Sequence, residues 1–240
     1  MKIDFCIPVY NEDEIFSASA EKVWAFLQSS FFDHDWRLVF AVNGSSQKFI
    51  DAVKKFTDNN RPGSACFIIE KSGKGGAIKA CFDASTADIL VYMDIDLAVD
   101  LDDIFSLLRP VLDGQADFCF GSRMLPSSVK LRSWRREISS KAYIRLSRFL
   151  LRHHFTDLQC GFKAIKRSAW LSLSPKIVDR AWFFDTELIC LAERASFKIM
   201  EIPVNWSENR YSRRRSKVKV WREAFIFLKK TMALRRRLGR

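Results

Sequence analysis

The chain has 240 residues, enough for one large domain, and its 48% hydrophobic and 28% charged residues exclude wholesale disorder. The six cysteines are widely spaced, with no Cys-x-x-Cys and no nearby His pair, which disfavours a disulfide framework or zinc site and favours a reducing compartment. The formal net charge of +12 belongs to residues 209–240, which contain 13 Lys and Arg and one acid, so the rest of the chain is neutral.

The first 120 residues alternate short apolar runs with helical patterns. Strands are predicted at residues 3–9, 38–42, 66–69, 89–93 and 117–120. Helices are predicted at residues 12–27, 48–57, 75–84 and 101–112. The first of these helices has Asn11 as its expected N-cap. Strands that are apolar on both faces and separated by helices predict an α/β, Rossmann-like, mostly parallel sheet with helices on both faces.

The pattern changes after Gly121. Helices are predicted at residues 133–153 and 184–194, a strand at 197–204 and a final basic helix at 217–238. No apolar run reaches the roughly 18 residues that span a bilayer, and the N-terminus does not have the pattern of a signal peptide.

The final predicted helix is amphipathic. Its apolar stripe at helical spacing consists of Val218, Trp221, Phe225, Leu228 and Met232. Two arrangements fit this stripe: it lies on anionic lipid, or it packs on the rest of the chain with the Lys and Arg side chains outward. We therefore divide the chain into an α/β domain at residues 1–208 and a basic extension at 209–240 that faces a membrane surface.

Two carboxylates follow the fourth predicted strand, at the end where open α/β sheets bind ligands. Asp94 and Asp96 flank Ile95 directly after the run ILVYM, where unpaired carboxylates are costly. Mg²⁺ or Mn²⁺ binds carboxylates together with nucleotide phosphates, so the pattern favours a metal site. The alternative is a strand-end turn in which one Asp caps the helix at Leu101, although Asp100 can serve as that cap.

A glycine-rich turn follows the third predicted strand. Residues 72–76 (SGKGG) fit a phosphate-contacting turn at a helix N-terminus, or a flexible turn that leads into a helix. The chain has no Walker pattern, and no G-x-G-x-x-G follows its first strand, so a dinucleotide-binding fold is disfavoured.

Six short segments occur in a characteristic order. They are residues 8–12 (PVYNE), 74–77 (KGGA), 94–96 (DID), 121–123 (GSR), 157–163 (DLQCGFK) and 184–188 (FDTEL). With these segments the chain resembles the family 2 glycosyltransferases of GT-A fold that act on polyprenyl phosphates, such as dolichyl-phosphate β-glucosyltransferases and mannose synthases. The resemblance implies that the α/β domain is a metal-dependent catalytic domain.

The resemblance also implies where a nucleotide-sugar binds. The implied site consists of Pro8, Tyr10, Asn11, Glu12, Asn43, Lys74, Asp94 and Ile95. Asp94 and Asp96 are the implied catalytic residues that hold Mg²⁺ or Mn²⁺ on the diphosphate. Asn43 stands where the family has an acid that contacts the base, and Ala98 stands where mannose synthases have a glutamine that assists the metal. UDP-glucose is therefore the favoured donor, with GDP-mannose as the alternative.

The implied acceptor-phosphate site consists of Arg123, Arg136, Ser140 and Lys217, with Arg135 as an alternative to Arg136. A lipid phosphate is already anionic near neutral pH, so it needs positioning rather than deprotonation. A sugar hydroxyl would need a carboxylate base, for which Asp185 is the catalytic candidate. The alternative role of Asp185 is to cap the helix that contains Leu188.

The leading hypothesis is an inverting transfer of a hexose from a nucleotide-sugar to a polyprenyl or dolichyl phosphate. The protein would be cytoplasmic, peripheral on an anionic membrane surface with or without a membrane-embedded partner, and would not bind nucleic acid. A second hypothesis is transfer to a saccharide hydroxyl in glycan or polysaccharide synthesis. A third is nucleic-acid binding through the basic tail, which contains Tyr211 and Trp221 but no recognised nucleic-acid motif.

Overall fold

The computed structural model describes residues 1–30, 35–59, 61–131, 134–207 and 220–239; at 130–131, 134–139 and 220–224 it describes the backbone alone. Within these residues the strands are β1 (Lys2–Val9), β2 (Asp35–Asn43), β3 (Ser64–Ile69), β4 (Ile89–Met93), β5 (Phe118–Ser122), β6 (Val129–Leu131), β7 (Phe162–Lys166), β8 (Ile199–Pro203) and β9 (Asn205–Ser207). The helices are α1 (Phe16–Ser29), α2 (Gln47–Asp58), α3 (Lys74–Ala84), α4 (Asp103–Leu112), α5 (Trp134–Leu151), α6 (Arg167–Leu173), α7 (Phe184–Arg194) and α8 (Val220–Leu238).

The main sheet has the strand order β3-β2-β1-β4-β7-β5-β8, and β6 pairs with β9 in a small second sheet. β1 pairs in parallel with β2 and β4, β2 with β3, and β5 with β8. β7 is inserted antiparallel between β4 and β5. The prediction of a mostly parallel α/β sheet is confirmed. β7 was not predicted, because its sequence FKAIK carries two lysines and lacks a continuous apolar run.

The sheet separates two hydrophobic cores. Side chains alternate between the faces of a strand, so Phe5 and Ile7 of β1 lie in one core and Cys6 lies in the other. The first core also contains the buried faces of α1, α2 and α4, and the second contains those of α3, α6, α7 and the C-terminal part of α8. Because both faces are covered, the parallel strands are apolar on both sides.

Two helices begin later than predicted. α1 begins at Phe16, and Asn11 is not its N-cap. Instead Asn11 has a φ of 47°, and its Oδ1 accepts a hydrogen bond from the Ser46 backbone N at 2.9 Å. Asn tolerates the left-handed region better than most residues, so here it forms a loop contact rather than a cap. α4 begins at Asp103, so Asp100 does not cap it.

The last helix, α8, packs on α5 and α7. Among the stripe residues whose side chains the structure describes, Leu228 is half-buried. Phe225 and Met232 are 58% and 46% exposed, whereas Leu234 and Leu238 are 1% and 4% exposed and belong to the second core. Both sets of residues are apolar at helical spacing, so periodicity alone does not select the buried one. The exposure of Phe225 and Met232 disfavours packing of the stripe on the rest of the chain, whereas contact of the stripe with lipid stays a prediction. The described part of the extension packs on the α/β domain through other residues. The proposed division after residue 208 lies outside the described residues.

We expect Leu234→Ala to lower the free energy of unfolding by about 2–5 kcal/mol, because it leaves a cavity in the core. Met232→Ala, on the exposed side of the same helix, is the matched control and should change stability by less than about 1 kcal/mol. Urea denaturation followed by circular dichroism measures both values. Equal losses in the two variants would contradict this assignment of the buried face.

Candidate active site

The loops after β1, β2 and β3 meet at one edge of the sheet, because these strands are parallel. Asn43, at the end of β2, donates from Nδ2 to the Val9 carbonyl at 2.9 Å, and its Oδ1 accepts from the Gly73 backbone N at 2.9 Å. Through these two hydrogen bonds Asn43, which is 3% exposed, joins the loops after β1, β2 and β3. Its implied contact with a nucleotide base stays a prediction.

The loop after β1 lies beside this junction. Pro8, Asn11 and Glu12 are half-buried, and Tyr10 is 44% exposed. The Asn11 backbone N donates to Ser45 Oγ at 3.2 Å, which holds the loop against the loop after β2. An exposed tyrosine ring at this edge is a suitable surface for a nucleotide base. The implied donor contacts of these residues stay predictions, but the fold places them at the expected edge.

Asp94 and Asp96 lie in the turn after β4, at the same edge. Asp94 Oδ1 lies 2.8 Å from Lys74 Nζ, so two of the implied donor residues contact each other. Asp96 Oδ1 accepts a hydrogen bond from the Ala98 backbone N at 3.2 Å. Leu97, which follows Asp96 directly, is buried and has a φ of 50°, which is rare for a bulky side chain. The turn therefore holds the carboxylates on a strained backbone that its surroundings fix.

Lys74 is held between two acids. Its Nζ lies 2.8 Å from Asp94 Oδ1 and 3.9 Å from Asp185 Oδ2. The rings of Tyr92 and Trp182 lie 5.7 Å and 5.2 Å from the same nitrogen. Burial alone would lower the pKa of Lys74, but the charges of Asp94 and Asp185 outweigh it and hold this pKa above its ordinary value. Lys74 is therefore a fixed cation beside the carboxylate pair.

Behind Lys74 lies a buried ion pair that the sequence analysis did not predict. Lys163 Nζ of β7 lies 2.7 Å from Asp185 Oδ1, and the two side chains are 1% and 2% exposed. The Tyr92 hydroxyl also donates to Asp185, and Lys163 donates to the Cys160 carbonyl at 2.5 Å. Burial raises the pKa of Asp185 to about 7, although Lys74 lowers it, and burial lowers the pKa of Lys163 to about 7. Their direct contact opposes both shifts, because each charge stabilises the other.

This environment changes the interpretation of Asp185. α7 begins at Phe184, so Asp185 lies in the first turn and is not the N-cap that we considered. A general base has to reach the proton that it removes, whereas this carboxylate is enclosed by Lys163, Tyr92 and Lys74. The geometry supports a positioning role for Asp185 toward Lys74 rather than the implied role as a base.

Three residues of this site were missed in the sequence analysis: Lys163, Tyr92 and Asp157. Lys163 and Asp157 both lie in the segment 157–163 that contributes to the family resemblance, and that segment was the available signal. Tyr92 lies in the apolar strand ILVYM, where its ring is indistinguishable from a core residue.

Two glycines allow these loops to approach closely. A Cβ at Gly161 would overlap Asp94 Oδ2 and lie 2.8 Å from Lys74 Nζ, and a Cβ at Gly75 would overlap Phe184. Any other residue at these positions would displace the charged side chains or α7.

Two backbone N–H groups of the glycine-rich segment are bonded within the protein and not open to a phosphate. The Gly75 backbone N donates to the Ala181 carbonyl at 3.2 Å, and the Gly76 backbone N donates to the Arg180 carbonyl at 2.9 Å. The prediction of a phosphate-contacting turn is therefore wrong for these groups. The turn contributes the side chain of Lys74 instead.

Arg123 is paired with a buried acid. Its Nε and Nη2 donate to the Asp157 carboxylate at 2.6 Å and 2.9 Å, and its backbone N donates to the same group at 3.1 Å. Burial would raise the pKa of Asp157, but the charge and hydrogen bonds of Arg123 outweigh it and lower this pKa to about 2. The Arg123 guanidinium also lies 5.6 Å from the Trp206 ring. Its implied contact with an acceptor phosphate stays a prediction.

The structure describes the other implied acceptor residues only in part. Ser140 is a half-buried residue of α5. The side chain of Arg136 and the whole of Lys217 lie outside the described residues. The roles of all three stay predictions.

The carboxylate pair fits a divalent cation. Mg²⁺ is commonly bound by one or two carboxylates together with substrate phosphates. Within the described residues, no group of three His, Cys, Asp or Glu side chains could hold a metal ion. Asp94 and Asp96 alone would leave the other ligand positions of such a cation to a phosphate group and to water. The helix-cap alternative fails, because α4 begins at Asp103, too far along the chain for Asp94 or Asp96 to cap it.

The pairing of Asp157 predicts a pH dependence of stability. Its pKa is about 2 in the folded chain against an ordinary 3.8, so its stabilisation is present above pH 3.8 and lost as the pH falls toward 2. We expect this group to account for a loss of about 2 kcal/mol over that range. Urea denaturation at several pH values should show the loss in the wild type and in the exposed control Asp13→Asn, but not in Asp157→Asn. An unchanged pH profile for Asp157→Asn would contradict the pairing.

The comparisons with known proteins identify the family of this chain. The family model for glycosyl transferase family 2 matches residues 4–171. Glycosyltransferase AglD of Haloferax volcanii is 32% identical over 210 residues, which cover 86% of this chain and 33% of that protein. A dolichyl-phosphate beta-glucosyltransferase of Trichomonas vaginalis is 28% identical over 219 residues, which cover 86% of this chain and 66% of that protein. This chain thus spans one third of the first relative and about two thirds of the second.

A solved structure shows the same fold. Glucosyl-3-phosphoglycerate synthase of Mycobacterium tuberculosis, in complex with Mn²⁺, UDP and phosphoglyceric acid, matches with a TM-score of 0.66 and 17% identity over 97% of this chain and 76% of that one. The family match covers most of the chain, and the sheet with its antiparallel insertion has the same fold as the solved structure. The chain belongs to glycosyl transferase family 2 and has the GT-A fold.

Proposed function

We propose that this chain is a metal-dependent, inverting hexosyltransferase that moves a hexose from a nucleotide-sugar to a polyprenyl or dolichyl phosphate. The observation that carries the proposal is the contact of Lys74 with Asp94, at the sheet edge where Asn43 and the loop of residues 8–12 also lie. A fixed cation and two carboxylates at one point can bind a nucleoside diphosphate together with a metal ion.

The donor site has to neutralise the diphosphate that leaves. Mg²⁺ or Mn²⁺ held by Asp94 and Asp96 would supply positive charge to the leaving group. Lys74 adds a second cation, which Asp185, itself paired with Lys163, holds in place from the buried side. The Mycobacterium tuberculosis synthase of the same fold was solved with UDP and with Mn²⁺ or Mg²⁺, which supports UDP-glucose as the favoured donor over GDP-mannose.

The acceptor is proposed from the names of the relatives and from Asp185. Several curated relatives, among them the Trichomonas vaginalis protein, are named dolichyl-phosphate beta-glucosyltransferases. A lipid phosphate attacks as an anion, so it needs no base. Because the Asp185 carboxylate is buried against Lys163, the site favours such an acceptor over a saccharide hydroxyl.

The outer face of α8 supports a peripheral position on an anionic membrane. Phe225 and Met232 are exposed on one side of this helix, and Lys229 Nζ lies 4.5 Å from the Phe225 ring. Phe149 of the neighbouring α5 is 79% exposed. Exposed apolar side chains next to Lys are typical of surfaces that lie on anionic lipid, so we place this face on the cytoplasmic leaflet. Among the described helices, none is both long and apolar enough to cross a bilayer.

We expect Asp94→Asn and Asp96→Asn each to lower kcat by at least about a hundredfold, because each removes a charge that holds the metal on the diphosphate. Asp102→Asn, an exposed acid before α4, is the matched control and should keep wild-type turnover. Transfer of labelled glucose from UDP-glucose to dolichyl phosphate with Mn²⁺ measures the effect, with GDP-mannose and a saccharide acceptor run in parallel. Far-ultraviolet circular dichroism checks that the variants fold. Near-normal turnover in both site variants would contradict the proposal.

We expect Phe225→Glu to weaken binding to phosphatidylserine vesicles by about tenfold in low salt, because it removes an exposed ring from the lipid-facing side. Leu171→Glu on α6, where the leucine is 46% exposed, is the control and should bind like the wild type. Vesicle sedimentation measures the bound fraction. Equal binding by Phe225→Glu and the wild type would remove α8 from the membrane-facing surface.

A further inference from the structure

The loop of residues 177–183, between α6 and α7, lies over the N-terminus of α3. Its carbonyl oxygens accept hydrogen bonds from the backbone N of Gly75 at 3.2 Å and of Gly76 at 2.9 Å. The ring of Trp182 in this loop lies 5.2 Å from Lys74 Nζ. Because Lys74 is the first residue of α3, the position of the 177–183 loop helps to determine where its side chain lies.

Glu187 of α7 holds the same loop from the other side. Glu187 is 1% exposed, and its Oε2 accepts hydrogen bonds from the backbone N of Val178 at 3.0 Å and of Asp179 at 2.7 Å. Asp179 Oδ1 in turn accepts from the Ala181 backbone N at 2.8 Å. These hydrogen bonds connect the Glu187 carboxylate to Ala181, whose carbonyl accepts the hydrogen bond from the Gly75 backbone N.

Two basic residues of α8 complete this set of contacts. Arg237 pairs with Glu187 Oε1 and also donates to the carbonyl of Lys176, the residue directly before the loop. Lys230, two turns earlier on the same helix, pairs with Asp179. The C-terminal helix is thus connected to the loop at two separate points.

We propose that α8 positions the donor site: Arg237, acting through Glu187 and the 177–183 loop, keeps Lys74 on Asp94. Arg237 is a positioning residue, because it touches neither Asp94 nor the carboxylate turn and acts through Glu187 and the 177–183 loop. The inference rests on the proposed function, since it takes Lys74 as part of the donor site.

The buried charge of Glu187 makes the arrangement sensitive to Arg237. A carboxylate that is nearly inaccessible to water needs a cation or a proton. Without Arg237, the unpaired Glu187 carboxylate moves toward water, which weakens the hydrogen bonds that it accepts from the loop. The loop then no longer holds α3 and Lys74 as closely.

Kinetics with a short, water-soluble polyprenyl phosphate analogue test the inference without a membrane. We expect Arg237→Gln to lower kcat/KM for the nucleotide-sugar by about ten- to a hundredfold, the range that misplacement of a binding group costs, while the acceptor KM stays unchanged. Arg237→Lys keeps the charge and should recover part of the loss. Arg236→Gln, an exposed neighbour on the same helix, is the matched control and should behave like the wild type.

A double variant separates positioning from general destabilisation. If Arg237 acts through Lys74, then adding Arg237→Gln to Lys74→Met lowers kcat/KM for the nucleotide-sugar little further, because the two changes remove the same interaction. Losses that multiply would overturn the inference. If Arg237→Gln does not fold, Lys230→Met replaces it, because that variant breaks only the contact with Asp179.

Hydrogen exchange of backbone amides gives a result that does not depend on activity. We expect faster exchange at Gly75, Gly76, Val178 and Asp179 in Arg237→Gln and unchanged exchange in Arg236→Gln. Wild-type protection at these amides, or faster exchange with wild-type kinetics, would overturn the inference. If the wild type itself transfers no sugar from any nucleotide-sugar, the proposed function fails, and the exchange at Gly75 and Gly76 still decides whether Arg237 holds the loop.

Discussion

Four charged side chains of alternating sign, Lys163, Asp185, Lys74 and Asp94, form a row from the buried sheet to its carboxyl edge. They belong to β7, α7, α3 and the turn after β4. A buried charge is stable only beside an opposite charge. The charged side chain of each of these elements therefore requires that the neighbouring element in the row is in place. Removal of Asp185 would leave the buried Lys163 without its ion pair, at a cost of about 3–5 kcal/mol. This requirement connects the packing of four elements to the position of Asp94, whose side chain is 39% exposed.

The sequence predicted the parallel half of the sheet well, because each of those strands is a continuous apolar run between helices. It did not predict β7, since a lysine within a short segment is typical of an exposed position. What makes Lys163 stable inside the sheet is Asp185, which lies 22 residues further along the chain. Arg123 is a similar case, because its partner Asp157 is 34 residues away. Residue type identified which side chains carry charge, but the fold decides which charges neutralise each other.

The basic C-terminal region illustrates the same limit. Its helix ends at the predicted residue, Leu238, but the residues that it buries were not predicted, because two apolar stripes run along it. Lys230 and Arg237 pair with Asp179 and Glu187 of the α/β domain, and these pairs help to set the rotation of the helix. Part of the positive charge that the sequence analysis assigned to a membrane is therefore neutralised within the protein.

The antiparallel insertion of β7 has a consequence for the order in which the sheet can form during synthesis. β1 to β4 are contiguous in the sheet and complete by Met93, whereas the strand that covers the free side of β4 is Phe162–Lys166. At about 5–20 residues per second, the roughly 70 residues between them take several seconds to emerge from a ribosome. During that interval β4, with the sequence ILVYM, presents an apolar edge to which another chain could add. β7 covers that edge when it pairs with β4, and it carries Lys163. The strand that ends the exposure of the nascent sheet therefore also places a cation beside Asp185 in the buried row of charges.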